Sequence, residues 1–67
     1  MKKAFSFRGY LPDESFDASA MRNELTGVAG DPVDVRIQGG ECLVSGRIEE
    51  ENVSAVRRRM DELGILE

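Results

Sequence analysis

Apolar residues near the N-terminus follow the period of a strand. Phe5 and Phe7 alternate with Ser6 and Arg8, so that the two aromatic rings fall on one face and the polar side chains on the other. This alternation is typical of a strand with one buried face, and it predicts a strand over residues 3–11.

A second region of alternation, residues 33–48, is divided by the pair Gly39-Gly40. Both central residues of a type I′ hairpin turn need a positive φ, which glycine adopts without steric cost. A turn at this pair predicts a register with Val33 opposite Gly46, Val35 opposite Val44 and Ile37 opposite Cys42. The apolar residues then share one face, which a slip by one residue would turn to water. The register therefore predicts that Cys42 is a small apolar residue of the core.

Two further segments have apolar residues spaced by three and four positions, as in an amphipathic helix. The first starts after Asp17, which suits an N-cap, and Gly27 predicts its end through a left-handed cap. The second starts near Glu50 and ends at Gly64, where Ile65 can fold back in a Schellman-type contact. The apolar stripes of the two helices are Ala18, Met21, Leu25 and Val28 in the first, and Val53, Val56, Met60 and Leu63 in the second.

The predicted order is β-α-β-β-α in a single domain that covers residues 1–67. Because each helix has one apolar stripe and each strand one apolar face, the economical packing is two helices on one face of a three-stranded antiparallel sheet. The fold class is therefore α+β, a ferredoxin-like arrangement. A complete ferredoxin-like sheet has a fourth strand beside the first, and residues 65–67 are too few to supply more than a trace of it.

Several glycines and their neighbours give the chain a family resemblance. The pattern is a strand followed by Gly9 and Tyr10, then a helix, a hairpin, and a second helix that ends at a glycine. With these features the chain resembles the heavy-metal-associated domain, the ferredoxin-like fold of copper chaperones and metal-pump N-terminal domains. Tyr10 stands where that family has methionine in Gly-Met-x-Cys-x-x-Cys. The other matching positions are Gly27-Val28, Cys42, Val44, Gly46 and Gly64.

The two cysteines of the family motif fall on Pro12 and Ser15 in this chain. In the family those thiolates hold a soft metal ion, which neither proline nor serine can do. The resemblance therefore implies the architecture without the copper-carrying function. Asp31-Pro32 also has the position of an insertion between the helix and the second strand.

Acidic residues near the loop raise an alternative, a metal-binding or transport protein with unusual ligands: Asp13, Glu14, Asp17 and Cys42. A hard cation such as Ca²⁺ takes about six or more oxygen ligands, usually in a dedicated loop, and the spacing here is not that of an EF-hand. The acids have a simpler explanation, because Asp17 caps the helix and Asp13 and Glu14 favour its positive end. We therefore assign no metal, cofactor or catalytic residue.

Composition narrows the possible functions. The net charge of −4 disfavours non-specific binding to nucleic acid or to an anionic membrane, and the chain has no histidine and one cysteine. No pair of residues suggests an activated nucleophile or a general base, so we expect no enzyme. Ser6, Arg8 and Gly9 interrupt the apolar core that a signal peptide needs, and no stretch is long enough to span a bilayer. The expected location is the cytoplasm.

These observations favour a small, non-catalytic protein-interaction domain. Without a fourth strand, the segment from Phe5 to Tyr10 is expected to form an exposed sheet edge, which can pair with a partner's strand or with a second copy in a homodimer. The basic run Arg57, Arg58 and Arg59 is the best candidate for a charged contact, although it also suits a solvated helix face.

Overall fold

The computed structural model of the protein describes residues 1–65, which form three strands and two helices. In chain order they are β1 (Lys2–Tyr10), α1 (Ala18–Ala29), β2 (Val33–Gln38), β3 (Glu41–Glu49) and α2 (Glu50–Glu62). Within residues 1–65 no helix is long and apolar enough to cross a membrane.

The strands form an antiparallel sheet in which β3 is central, in the order β1-β3-β2. Both helices pack on the face that carries Val35, Val44 and Ile48, so the predicted α+β class is confirmed. A complete ferredoxin-like sheet has a fourth strand beside the first, and residues 1–65 form no such strand. Leu66 and Glu67, which with Ile65 are the residues available for a trace of a fourth strand, lie outside the described residues.

The hairpin between β2 and β3 has the predicted turn and register. Gly39 and Gly40 have φ angles of 58° and 79°, as a type I′ turn requires. The three predicted pairs are Val33–Gly46, Val35–Val44 and Ile37–Cys42, and all three are observed. Because the turn and the apolar pattern specify the same register, a slipped pairing has nothing to stabilise it.

Helix α1 begins as predicted but ends later. The Asp17 carboxylate accepts a hydrogen bond from the Ala20 backbone N–H at 3.3 Å and so caps the first turn. The prediction that Gly27 ends the helix is wrong, because α1 continues to Ala29 and Gly30 (φ 77°) provides the left-handed cap. Ala29 is fully buried, so the added turn brings another apolar residue into the core.

A side chain of α2 helps to fix this later end. The Asn52 side-chain amide donates a hydrogen bond of 3.0 Å to the Ala29 carbonyl oxygen, one of the acceptors that the end of a helix leaves unpaired. As a consequence, Gly27-Val28 lies inside the helix. The pattern of the heavy-metal-associated domain would instead place this pair at the helix end. Gly27 is exposed, which allows a glycine in the helix without a packing role.

Helix α2 begins at Glu50 as predicted, and a Schellman motif follows it. The Gly64 N–H donates to the Asp61 carbonyl and the Ile65 N–H to the Met60 carbonyl, both at 3.0 Å. Gly64 has a φ of 83°, which favours glycine at this position. Ile65 is thereby turned into the core, where it is 2% exposed.

The core lies between the sheet and the two helices. Its largest fully buried side chains are Leu25, Cys42, Val44, Ile48 and Val56, with no buried polar or charged residue among residues 1–65. Burial of this apolar surface is the main force that holds the helices on the sheet. In a domain of this size, one such side chain is a large part of the total stability.

We predict that Leu25→Ala lowers the free energy of unfolding by about 2–5 kcal/mol, because it removes buried methyl groups and leaves a cavity. Urea titration followed by circular dichroism measures this change. Arg22→Ala, an exposed substitution in the same helix, is the control and should change stability by no more than about 0.5 kcal/mol. Equal effects of the two substitutions would contradict the packing described for α1.

Candidate functional site at the edge of the first strand

Strand β1 is paired along only one of its two edges. All nine of its residues, Lys2–Tyr10, have an antiparallel partner in β3. On the other side of β1, residues 1–65 place no strand. This free edge is the side on which a further strand can be hydrogen-bonded to the sheet.

Hydrogen bonds at the two ends of β1 show which of its backbone groups are free. The Leu11 N–H donates to the Gly40 carbonyl at 2.8 Å, and the Met1 carbonyl accepts from the Glu50 N–H at 3.1 Å. Both bonds continue the register of β1 with β3, and residues alternate in direction along an antiparallel strand. The odd-numbered residues therefore point their N–H and C=O groups to β3. The groups that point to the free edge belong to Lys2, Ala4, Ser6, Arg8 and Tyr10.

On the helix side of the sheet, β1 presents two aromatic rings. Phe5 and Phe7 are half-buried, and their ring centroids are 5.3 Å apart at an interplanar angle of 47°. A Cβ atom on Gly46, which pairs with Phe5, would lie 3.3 Å from Phe5 Cε1, so the ring lies over the space that a side chain would occupy. The helices cover this face of β1 only in part, because both phenylalanines pack against the core and remain half-buried.

On the opposite face of the sheet, β1 carries polar and charged side chains. Arg8 Nε lies 3.6 Å from Glu41 Oε1, and Lys2 Nζ lies 2.9 Å from Asp31 Oδ1. Tyr10 is 61% exposed at the end of the strand. No helix packs on this face in the described part of the chain, so both the edge and the face beside it are in contact with water.

The structure divides the basic run of α2 among different surroundings. The Arg57 guanidinium carbon lies 5.8 Å from the centroid of the Phe7 ring, a cation–π distance. Arg59 instead bonds α1, since its Nε donates to Glu24 Oε1 at 2.7 Å. Arg58 is exposed. The sequence shows the run, but only the packing of α2 against β1 and α1 shows that Arg57 belongs to the strand edge.

The acidic residues of the loop have local roles. Asp13 accepts hydrogen bonds from the Ser15 hydroxyl and, at 2.8 Å, from the Ser15 backbone N–H. These bonds, the hydroxyl first, lower the pKa of Asp13 below its ordinary value. Asp17 caps α1, and Glu14 is exposed. Ser15, which stands where the family has its second cysteine, thus orders the loop through Asp13.

Cys42 lies apart from these acids. It is paired with Gly9 on one side and Ile37 on the other, and it is 0% exposed within the core. Burial raises the pKa of its thiol, so the protonated form is favoured in the folded protein. Among residues 1–65, no group of three histidine, cysteine, aspartate or glutamate side chains is placed to hold a metal ion.

Known proteins provide no functional assignment for the chain. Comparison with protein-family models, with curated proteins and with solved structures finds no match. The resemblance to the heavy-metal-associated domain therefore stays an expectation from the sequence. The functional inference comes from the contacts of β1 and α2.

We predict that Cys42 reacts with a thiol reagent such as 5,5′-dithiobis(2-nitrobenzoate) only as fast as the protein unfolds, because the sulfur is buried and its pKa is raised. Absorbance of the released thiolate measures the rate with and without urea. Rapid reaction in the absence of urea would contradict the core position.

Burial also makes the pKa of the Cys42 thiol higher in the folded than in the unfolded protein. The contribution of this thiol to the free energy of unfolding is therefore fully present below the ordinary thiol pKa of about 8.5, and it decreases at higher pH.

Proposed function

We propose that the protein is a small, non-catalytic interaction domain that binds an extended segment of a partner protein, or of a second copy, along the free edge of β1. The architecture is that of a metal-chaperone-like domain in which Pro12 and Ser15 stand in place of the metal-binding cysteines. Binding occurs by addition of a strand to the sheet, in which main-chain hydrogen bonds provide affinity and neighbouring side chains provide specificity.

One observation carries this proposal: an edge of nine residues whose outward N–H and C=O groups have no strand beside them within residues 1–65. Native sheets commonly protect such edges with short strands, bulges or a covering element. Strand β1 is long, and its register with β3 is continuous. A segment added here would satisfy five outward-facing residues and would also cover the exposed parts of Phe5 and Phe7.

The helix side of the edge supports the same function. Arg57 lies over Phe7, so a bound segment would meet a charged group beside an aromatic surface. Of the basic run, Arg57 is therefore the proposed charged contact of the interaction, and Arg58 is exposed on the same helix. Arg59 serves the packing of the two helices through its bond to Glu24.

The chemistry of the chain supports a non-catalytic role in the cytoplasm. Its one cysteine is buried with a raised pKa, which opposes use as a nucleophile. A free thiol of this kind is usual in a reducing compartment. The net charge of −4 disfavours nucleic acid as a partner, because such binding depends on neutralising phosphates.

We predict that Ser6→Pro abolishes binding at the edge and leaves the fold intact. Proline has no N–H, and the Ser6 N–H points to the free edge, so no bond between β1 and β3 is lost. Ser6→Ala is the control and should bind like the original chain. Amide hydrogen exchange by NMR, before and after complex formation, measures the effect. The amides of Ala4, Ser6 and Arg8 should exchange fast when the edge is free and at least about tenfold more slowly when it is paired.

The same measurements show whether the partner is foreign or a second copy. Sedimentation over a range of concentrations detects a homodimer, and a tagged chain recovers a partner whose complex is then examined by exchange. Circular dichroism verifies that Ser6→Pro is folded, and Ala4→Pro repeats the test at another outward-facing position. The proposal is wrong if outward amides stay unprotected in every assembly, or if both proline variants bind normally while folded.

A further inference from the structure

The charge of β1 is opposite to that of the protein as a whole. The chain has a net charge of −4, yet β1 contains Lys2, Lys3 and Arg8 and no acidic residue. Lys2 and Arg8 lie on the open face of the sheet, and Lys3 lies on the helix side with Arg57 further along. On the open face, an added strand would therefore run beside two basic side chains and no acidic residue of β1.

We propose that the segment bound at this edge is an extended acidic peptide in which acidic and apolar residues alternate. This proposal rests on the proposed function, because it names the chemistry of the partner for the same edge. Alternate side chains of a strand point to opposite faces. The acidic residues face the open side with Lys2 and Arg8, and the apolar residues face the helix side with Phe5 and Phe7.

The existing ion pairs of β1 leave room for such a partner. The Arg8 side chain is 69% exposed and 3.6 Å from Glu41, and the Lys2 side chain is 50% exposed beside Asp31. Lys3 is exposed. A carboxylate on the added strand can therefore approach these basic groups from the free side, because cross-strand neighbours of opposite charge stabilise a sheet.

The helix side has a surface for the apolar residues of the peptide. Phe5 and Phe7 are only half-buried, and a small depression next to Phe7 is lined by Arg8, Arg57, Met60, Asp61 and Ile65. Met60 and Ile65 form an apolar floor. An aliphatic or aromatic side chain opposite Phe5 or Phe7 would cover this area and pack against the rings.

The same charges disfavour a second copy as the occupant. Only even-numbered residues of β1 point outward, so a full-length antiparallel pairing of two copies places Ser6 opposite Ser6, Ala4 opposite Arg8 and Lys2 opposite Tyr10. Lys2 of each copy then lies diagonal to Arg8 of the other, with no acidic residue in either strand. Lysines on an edge are a known means by which sheets avoid pairing with themselves.

The test uses three synthetic heptapeptides, each capped at both ends, in NMR titrations of the labelled protein. The acidic peptide is Glu-Val-Glu-Val-Glu-Val-Glu, and the others have Thr or Lys in place of each Glu. We expect the acidic peptide to bind at least about tenfold more tightly than the Thr peptide, and the Lys peptide least of all. An increase in salt from about 0.05 M to about 0.5 M should weaken the acidic peptide severalfold, because exposed charges are screened.

A pair of charge-reversal variants tests the position of the effect. Arg8→Glu should remove most of the preference for the acidic peptide over the Thr peptide, and Lys2→Glu repeats the test at the other basic residue of the open face. Arg22→Glu makes the same change of net charge on α1, which packs against β2 and α2, and should leave the preference unchanged within about twofold. Amide shifts caused by the acidic peptide should centre on Ala4, Ser6 and Arg8.

The possible failures separate this proposal from the proposed function. If Ser6→Pro stops binding but the acidic and Thr peptides bind equally well, strand addition stands and the acidic partner is wrong. If two copies pair through β1 with protected outward amides, the edge again stands and the acidic partner is wrong. If folded Ser6→Pro binds the acidic peptide like the original chain, the peptide does not add to the edge and both proposals are wrong.

Discussion

The pairing of β3 with both of its neighbours is the constraint on which the rest of the structure depends. The Gly39-Gly40 turn joins β2 to β3 in a register that puts Val35, Val44 and Cys42 on one face. Strand β1 continues the same face on the other side of β3. Because this face is apolar across all three strands, both helices are held on one side of the sheet, and the opposite side is left to water.

Polar contacts join the two helices to each other in addition to their apolar packing. Asn52 of α2 bonds the last carbonyl of α1, and Arg59 of α2 bonds Glu24 of α1. A Schellman motif after α2 turns Ile65 into the core beside Met60. These contacts place the basic segment of α2 so that Arg57 lies over Phe7, which joins a helix surface to the edge of β1. The candidate site thus depends on helix packing although its main-chain groups belong to a strand.

The edge of β1 combines features that sheets usually keep separate. Its length and continuous register favour strand addition, whereas Lys2, Lys3 and Arg8 oppose pairing with an identical strand. In the proposed complex, the basic edge of this acidic protein would select for charge as well as for backbone geometry. The two half-buried phenylalanines would add an apolar requirement on the other face. Affinity would then come from main-chain atoms of the strand and selectivity from its side chains.

The local elements could be predicted from the sequence, because turn chemistry and periodicity act between near neighbours. Gly39-Gly40, Asp17 and Gly64 predicted a turn, a cap and a helix end that the structure confirms. The continuation of α1 past Gly27, in contrast, depends on tertiary contacts. The burial of Ala29 and the bond from Asn52 outweigh the local preference of glycine for a helix end. Likewise, the outward direction of the Ser6 N–H and the position of Arg57 over Phe7 depend on contacts between residues far apart in the chain, which no local pattern encodes.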